Sequence, residues 1–429
     1  MSVVAPEQSP GELPESSSQP VVRSAMRQRK AQKRRKRATI VQGLLTVLFV
    51  VALGALGFVG WNSALKITGG RVTEVTDPSA ANFIAKVEPT NVELVAVTAP
   101  DGSLVTSLLL VSEPGGKKKR ASAGANTVVA VSSGLILWEF EDALPDSAAN
   151  IFASGGIDAL SLRLGADLSF GTTSTAVAPS AVLDELATAA GQLTIELPDN
   201  VIGTDLAGTK FVKYPAGPLA LAPDQVSEFL GFRGVDEQEL SRSLRLSLVW
   251  SKLLAVIGAS ESSTKSKISV PASASEGLKS FADLFNGMSS AQLSVVSLPT
   301  QEVVLNVSPP VVLNQIDDLA VPAWVAEYVP FPVSAYPGQR ATVSMLNGTK
   351  DKALPNMTAP KVVAGGGQIS LAGNAASFDL ATSTVEYTDR GSKAAAESIA
   401  QQLGLAVKLR VDQNSNVDVT VTMGQDLLS

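Results

Sequence analysis

The chain has 429 residues and a formal net charge of −6, and it contains neither cysteine nor histidine. Those absences exclude disulfides, thiolate metal sites, histidine-based hydrolase triads and the commonest zinc ligand. At 45% hydrophobic but only 5% aromatic, the sequence must build its cores from Val, Leu, Ile and Ala, and its length points to two domains rather than one.

Residues 1–37 form a tail rich in Pro, Glu, Ser and Gln that turns basic, with nine Lys and Arg between Arg23 and Arg37 against Glu7, Glu12 and Glu15. Such a composition predicts disorder. Ala38–Trp61 follows, with Thr39, Gln42 and Thr46 as its only polar side chains. As a helix it reaches about 36 Å, enough to span a bilayer. The basic flank places 1–37 in the cytoplasm and everything after residue 61 outside, as a single-pass membrane protein with an extracytoplasmic C-terminal part. That outer part carries 25 basic and 37 acidic residues, a balance that argues against nucleic acid as a partner.

Residues 62–89 read as a tether. The first external domain, 90–335, opens with a hairpin, Val92–Thr98 and Leu104–Ser112, around Pro100–Asp101–Gly102. Thr127–Trp138 reads as one buried strand. Helices are expected from Gly155 to Leu164, over Pro179–Ala190 with Pro179 in the first turn, over Leu221–Phe232, over Asp236–Ile257 and at Leu278–Phe285. Strands are expected at Gln192–Leu197, Leu293–Leu298 and Val303–Val307. A flexible loop is placed at about 259–276, and the Pro-rich Pro322–Pro337 reads as a domain boundary. The last domain, 340–429, alternates strand and helix: Ala341–Leu346, Thr382–Tyr387, Ser392–Leu403 capped by Ser392 and stopped by Gly404, and Val417–Met423. The fold class is therefore α/β, with one N-terminal transmembrane helix, an α/β extracytoplasmic domain and a small α/β C-terminal domain.

Three stretches of the last domain, VSMLNGT (343–349), AGNAASFDLATSTVEYTDRGSKAAAESIAQQLG (372–404) and VDVTVTMGQDL (417–427), closely resemble the LytR C-terminal domain of envelope proteins. The family has a helix after its NGT turn. Here Pro355 and Pro360 fall in that segment, so the helix must start late, kink or be lost.

Upstream, TSLLLVSE (106–113), TVVAVSSGLIL (127–137), ANIFASGGIDALSLRLG (149–165), AVLDELATAAGQLTIELPDNV (181–201) and LALAPDQVSEFLGFRGVDEQELSRSLRLSLVW (219–250) resemble a LytR-CpsA-Psr domain. The resemblance implies a domain that transfers a glycan phosphate from a polyprenyl pyrophosphate to peptidoglycan, with an apolar lipid pocket, arginines on the pyrophosphate and carboxylates helping to hold Mg²⁺. Leu104 and Thr106 stand where the family has Arg and Asp, and Ser132, Ser133 and Gly134 stand for its Pro-Arg-Asp. Arg233, Glu239, Arg242 and Arg245 match its later arginines and helix start. They make either a residual pyrophosphate site or a solvated helix face with a Glu239–Arg242 pair.

The resulting expectation is a non-catalytic envelope protein that binds cell-wall glycopolymer, a polyprenyl-linked glycan, peptidoglycan or other envelope proteins, without a metal or cofactor. The alternative is an active phosphotransferase, which would use Mg²⁺. A regulator whose basic arm touches nucleic acid ranks last, since residues 1–37 hold no helix-turn-helix pattern.

Overall fold

The expected hairpin nucleates the central layer. In the computed structural model, which describes residues 75–112, 126–138, 145–260, 293–308, 310–410 and 416–428, Asn91–Thr98 and Leu104–Ser112 pair antiparallel. Gly102 turns the chain at φ 84°, and the Asp101 carboxylate accepts from the Ser103 amide and hydroxyl. The expected anchor (38–61), the basic tail, residues 62–74 of the tether, residues 261–276 of the loop and the helix at 278–285 lie outside the described residues. No helix among the described residues is long and apolar enough to cross a membrane.

The hairpin joins a five-stranded mixed sheet in the order 293–296, 126–132, 104–112, 91–98, 174–179. Eight of the nine residues in Leu104–Ser112 are buried because helices cover both faces. Leu94, Ala96, Leu109, Val129 and Val131 face the core that holds helix α1 (Ala148–Asp167). Val95, Val97, Leu108, Leu110 and Val128 face the core of α2 (Ala181–Ala190), α3 (Val226–Gly231) and α4 (Glu239–Ser260). A second, four-stranded sheet takes Thr300–Leu305, Val311–Ile316, Ile136–Leu137 and Asp146–Ser147.

The C-terminal module is a six-stranded sheet packed with α6 (Leu354–Ala364) and α7 (Lys393–Leu403), reached through α5 (Val321–Tyr328). One of its two edge strands is Ile84–Lys86, from the stretch read as a tether, paired antiparallel to Leu371–Gly373. Gly373 permits this approach, since a Cβ there would lie 1.9 Å from the Phe83 carbonyl oxygen. The two modules share one apolar cluster. At their junction the buried Arg340 donates to the carbonyls of Ser169 (2.7 Å), Gly367 (3.2 Å) and Val363. Burial lowers its pKa to about 10.

Several expectations change in detail. Thr127–Trp138 is not one strand: a turn at Ser133–Gly134 breaks it, and the chain resumes as Ile136–Leu137 in the other sheet. Pro179 ends a strand instead of opening a helix, because its register against Thr98 holds it in the sheet. Helix α1 begins at Ala148, earlier than expected, and crosses a kink at Gly156 (φ 69°). The Pro-rich 322–337 contains α5, with Pro322 in its first turn where no amide partner is needed. The C-terminal helix survives its prolines: Pro355 sits in the first turn of α6, and only Pro360 removes an internal bond. Ser392 occupies the N-cap of α7 but makes no side-chain cap, and its amide donates to Asp389 instead (3.0 Å). Gly404 stops α7 in the left-handed conformation, as expected.

Candidate anion-binding site

The four residues singled out in the sequence converge at the start of α4. The lead-in turns sharply at Asp236 (φ 63°), and the Glu237 carboxylate accepts from the Gly234 amide (2.8 Å). Glu239 then opens the helix with Arg242 one turn on and Arg245 a turn beyond, all three on the side toward the sheet.

The two helix arginines do different work. Arg245 is committed internally. Its Nε and one terminal nitrogen donate to both Glu237 oxygens (2.9 and 3.0 Å), while further N–H groups reach the Phe232 carbonyl (2.7 Å) and the Phe229 carbonyl. The guanidinium also lies 4.8 Å from the Phe229 ring centroid. Four of five donors are used, so Arg245 ties α3 to α4 and has little left for a ligand.

Arg242 is only 4% exposed, yet among the described residues the one hydrogen bond its guanidinium makes is a long contact to the Val105 carbonyl (3.4 Å), and its Nε has no partner there. Burial pushes its pKa down, and the nearby Glu239 carboxylate pulls it part of the way back. A desolvated guanidinium with an unused donor is costly unless an anion or water completes it.

Glu239 sits between the cations. It accepts from the Ser132 hydroxyl, and its Oε2 lies 3.3 Å from the half-exposed Arg233 guanidinium, an ion pair whose alignment falls short of a hydrogen bond. Its carboxylate rests directly on Gly134: a Cβ there would meet Oε2 at 2.1 Å and Cδ at 2.5 Å. The Ser132–Gly134 turn thus receives its negative charge from α4. Three arginines against Glu237 and Glu239 leave the cluster one positive charge in excess.

A divalent cation does not fit this arrangement. Mg²⁺ wants near-octahedral oxygen ligation with carboxylate donors. Here Glu237 is held by Arg245 and Glu239 by Ser132 and Arg233. Among the described residues no group of three acidic side chains is placed to hold a metal. Thr106, a position the family fills with Asp, bonds the Val131 carbonyl (3.0 Å).

The space between sheet and α4 is filled. A channel for an alkyl chain would leave accessible surface on its walls, and Leu108, Leu110, Val128, Val249 and Trp250 have none. A cavity of about 370 Å³ lies elsewhere, bounded by Asp158, Ser161, Thr172, Thr173, Ser174 and Ser334, and shares no residue with the arginine cluster.

The helix expected over Asp236–Ile257 takes Glu237 into its first turn and gives no sign of its pairing with Arg245. The eight-residue spacing carries no helical signal, because Glu237 lies outside the helix. Sequence reading also missed the seat that Gly134 provides. The only hint was a small residue standing where the family has a carboxylate.

The protein is a mixed α/β chain in which a three-layer body with a buried arginine cluster is joined to a small sheet-and-helix module. Residues 340–427 match the family described as LytR cell envelope-related transcriptional attenuator, which bears out the C-terminal resemblance. Similar solved structures include a LytR-Csp2A-Psr enzyme from Actinomyces oris, with 17% identity over 57% of this chain and 94% of that one, TM-score 0.40. TagV of B. subtilis is 11% identical over 55% and 94% of the two chains, TM-score 0.38. The LytR-CPS2A-psr family protein YwtF (TagT) with bound octaprenyl pyrophosphate lipid is 13% identical over 58% and 90%, TM-score 0.35. No curated protein sequence matches the chain.

Proposed function

We propose that the chain is a single-pass membrane protein, N-terminus in the cytoplasm, whose extracytoplasmic body binds a phosphate-bearing wall glycopolymer or its polyprenyl-linked precursor without cleaving it. One observation carries the reading: Arg242 is buried, its Nε is unpartnered, and Arg233 stands beside it in a cluster with excess positive charge. A phosphate oxygen would satisfy that donor and offset the charge. The resemblance of 106–250 to a LytR-CpsA-Psr domain supplies the ligand class. The poor fit for Mg²⁺ and the filled core under α4 support binding by the headgroup over bond cleavage with the lipid swallowed whole.

The test is a binding and turnover measurement on the detergent-solubilised full chain with a polyprenyl pyrophosphate glycan, with and without Mg²⁺. Binding without pyrophosphate cleavage is expected, weakened roughly tenfold by Arg233→Ala, the loss of one charge-assisted contact. Mg²⁺-dependent cleavage abolished by Arg242→Gln would instead establish the active phosphotransferase.

A further inference from the structure

The outer half of the hairpin Thr300–Leu305/Val311–Ile316, from Val303 and Leu313 to the turn, is apolar on both sides. Its register places Val304 opposite Val312 and Leu305 opposite Val311. Neighbours along a strand point to opposite faces, so these two pairs mark the two faces. Both are bare: Val304 is 55% exposed, Val312 43%, Leu305 41% and Val311 41%. Val307, beyond the strand end, is exposed as well. No ionisable side chain occurs from Val303 to Ile316.

Charge returns with Glu302, paired with Asn314 midway along the strands, and with Asp317 and Asp318 at the hairpin base. Trp138 is also at the base, exposed, with its indole N–H donating to the Gln315 side chain (3.0 Å). Gln315 lies four residues from Val311, about 13 Å along a strand. The order from the tip is therefore aliphatic, then a band in which Glu302 and the amphipathic Trp138 lie about one residue step apart along the strands, then Asp317 and Asp318. That is the order of hydrocarbon, headgroup and water.

We infer that this hairpin inserts its tip into the outer leaflet of the lipid bilayer, to a depth that leaves Trp138 among the headgroups. A flat protein partner would cover one face, whereas a continuous apolar medium covers both. The inference rests on the proposed anchor: thirteen residues separate 38–61 from Val75, at most about 45 Å of extended chain. Inserted there, the hairpin would hold the body against the surface from which a lipid-linked headgroup is presented.

The absence of cysteine makes the test clean. Single cysteines at Val311, at Val312 and, as a water-exposed reference, at Gln402 on α7 are labelled with an environment-sensitive dye. Each labelled full chain is then reconstituted in phosphatidylcholine vesicles with and without a doxyl-labelled acyl chain. Flotation of the vesicles reports the anchor independently. Blue-shifted emission at both 311 and 312, quenched at least about threefold more than at 402, supports insertion, since only lipid reaches both faces. Floated protein with no extra quenching at 311 and 312 overturns the hairpin while leaving the anchor intact. A blue shift without quenching, or quenching at one face only, assigns the surface to protein and equally overturns it. A chain that does not float removes both readings.

Discussion

The contact between Glu239 and Gly134 yields a prediction that separates the local geometry from generic packing. Gly134 lies outside the left-handed region, so alanine is tolerated by the backbone and would by itself stabilise by about 0.4–1 kcal/mol through the unfolded chain. In the folded protein the new methyl meets Glu239, which supplies the three nearest atoms, all within 2.8 Å. Glu239 must swing away and surrender its bond to Ser132 and its ion pair with Arg233. Losing charged hydrogen bonds in a buried setting costs about 1.5–3 kcal/mol. Gly134→Ala should therefore destabilise by about 2 kcal/mol in the native background. With Glu239→Ala already present, the clash is gone and the same change should cost nothing or stabilise slightly. The coupling in the double-mutant cycle is then about 2 kcal/mol, measured by urea unfolding followed through tryptophan fluorescence. Gly134→Ala should also free Arg233 and Arg242 and so raise affinity for inorganic pyrophosphate. Additivity of the two substitutions within about 0.5 kcal/mol would refute the account of Glu239 as seated on Gly134.

Three further outcomes are expected. Glu237→Ala should cost about 3–5 kcal/mol because it strands the buried Arg245, while Lys210→Ala, which breaks only the exposed pair with Asp236, should cost under about 1 kcal/mol; paired urea titrations compare them. Burial raises the Asp167 pKa to about 6, against the backbone N–H of Trp138 that it accepts. A carboxyl whose folded pKa exceeds its unfolded value binds its proton more tightly when folded, so its contribution is complete below about pH 4 and lost as pH rises to about 6. Stability should fall by roughly 1–2 kcal/mol across that window, discounted for partial exposure, and Asp167→Asn should flatten the profile and stabilise the protein at pH 7. Pro360→Ala should stabilise by about 1–2 kcal/mol, the restored helix bond outweighing the added freedom of the unfolded chain, as read by the urea midpoint.

The elements that a local pattern encodes were readable in advance. Asn91–Thr98 and Leu104–Ser112 announce themselves by β-branched runs around a Pro-Asp-Gly turn, and α7 by its period and terminal glycine. Motif spelling carried the C-terminal module to its family match at 340–427. What escaped depends on contacts distant in sequence. The pairing of Ile84–Lys86 with Leu371–Gly373 joins positions some 285 residues apart, and three residues of ordinary composition give no hint of it. The arginines were located, but their unequal roles were not. Arg242 and Arg245 are alike on a helical wheel, and only the fold shows that one faces Glu237 and two carbonyls while the other keeps an idle donor. The strand 201–204 with its partner 210–214 went unnoticed because the runs are short and polar at their ends.

The strand at 84–86 has a consequence for how this polypeptide matures. While the chain is being synthesised its partner is still unmade, since Gly367–Asn374 emerges some 280 residues later. Closure of that sheet is consequently among the last events of folding, and such long-range pairing is slow. Until then an edge of the late-made module stays open to any neighbouring strand. Cutting the chain before Arg340 to produce the final module alone would reproduce that unguarded state permanently, and the fragment should self-associate more than the intact molecule, as read by analytical ultracentrifugation of the two.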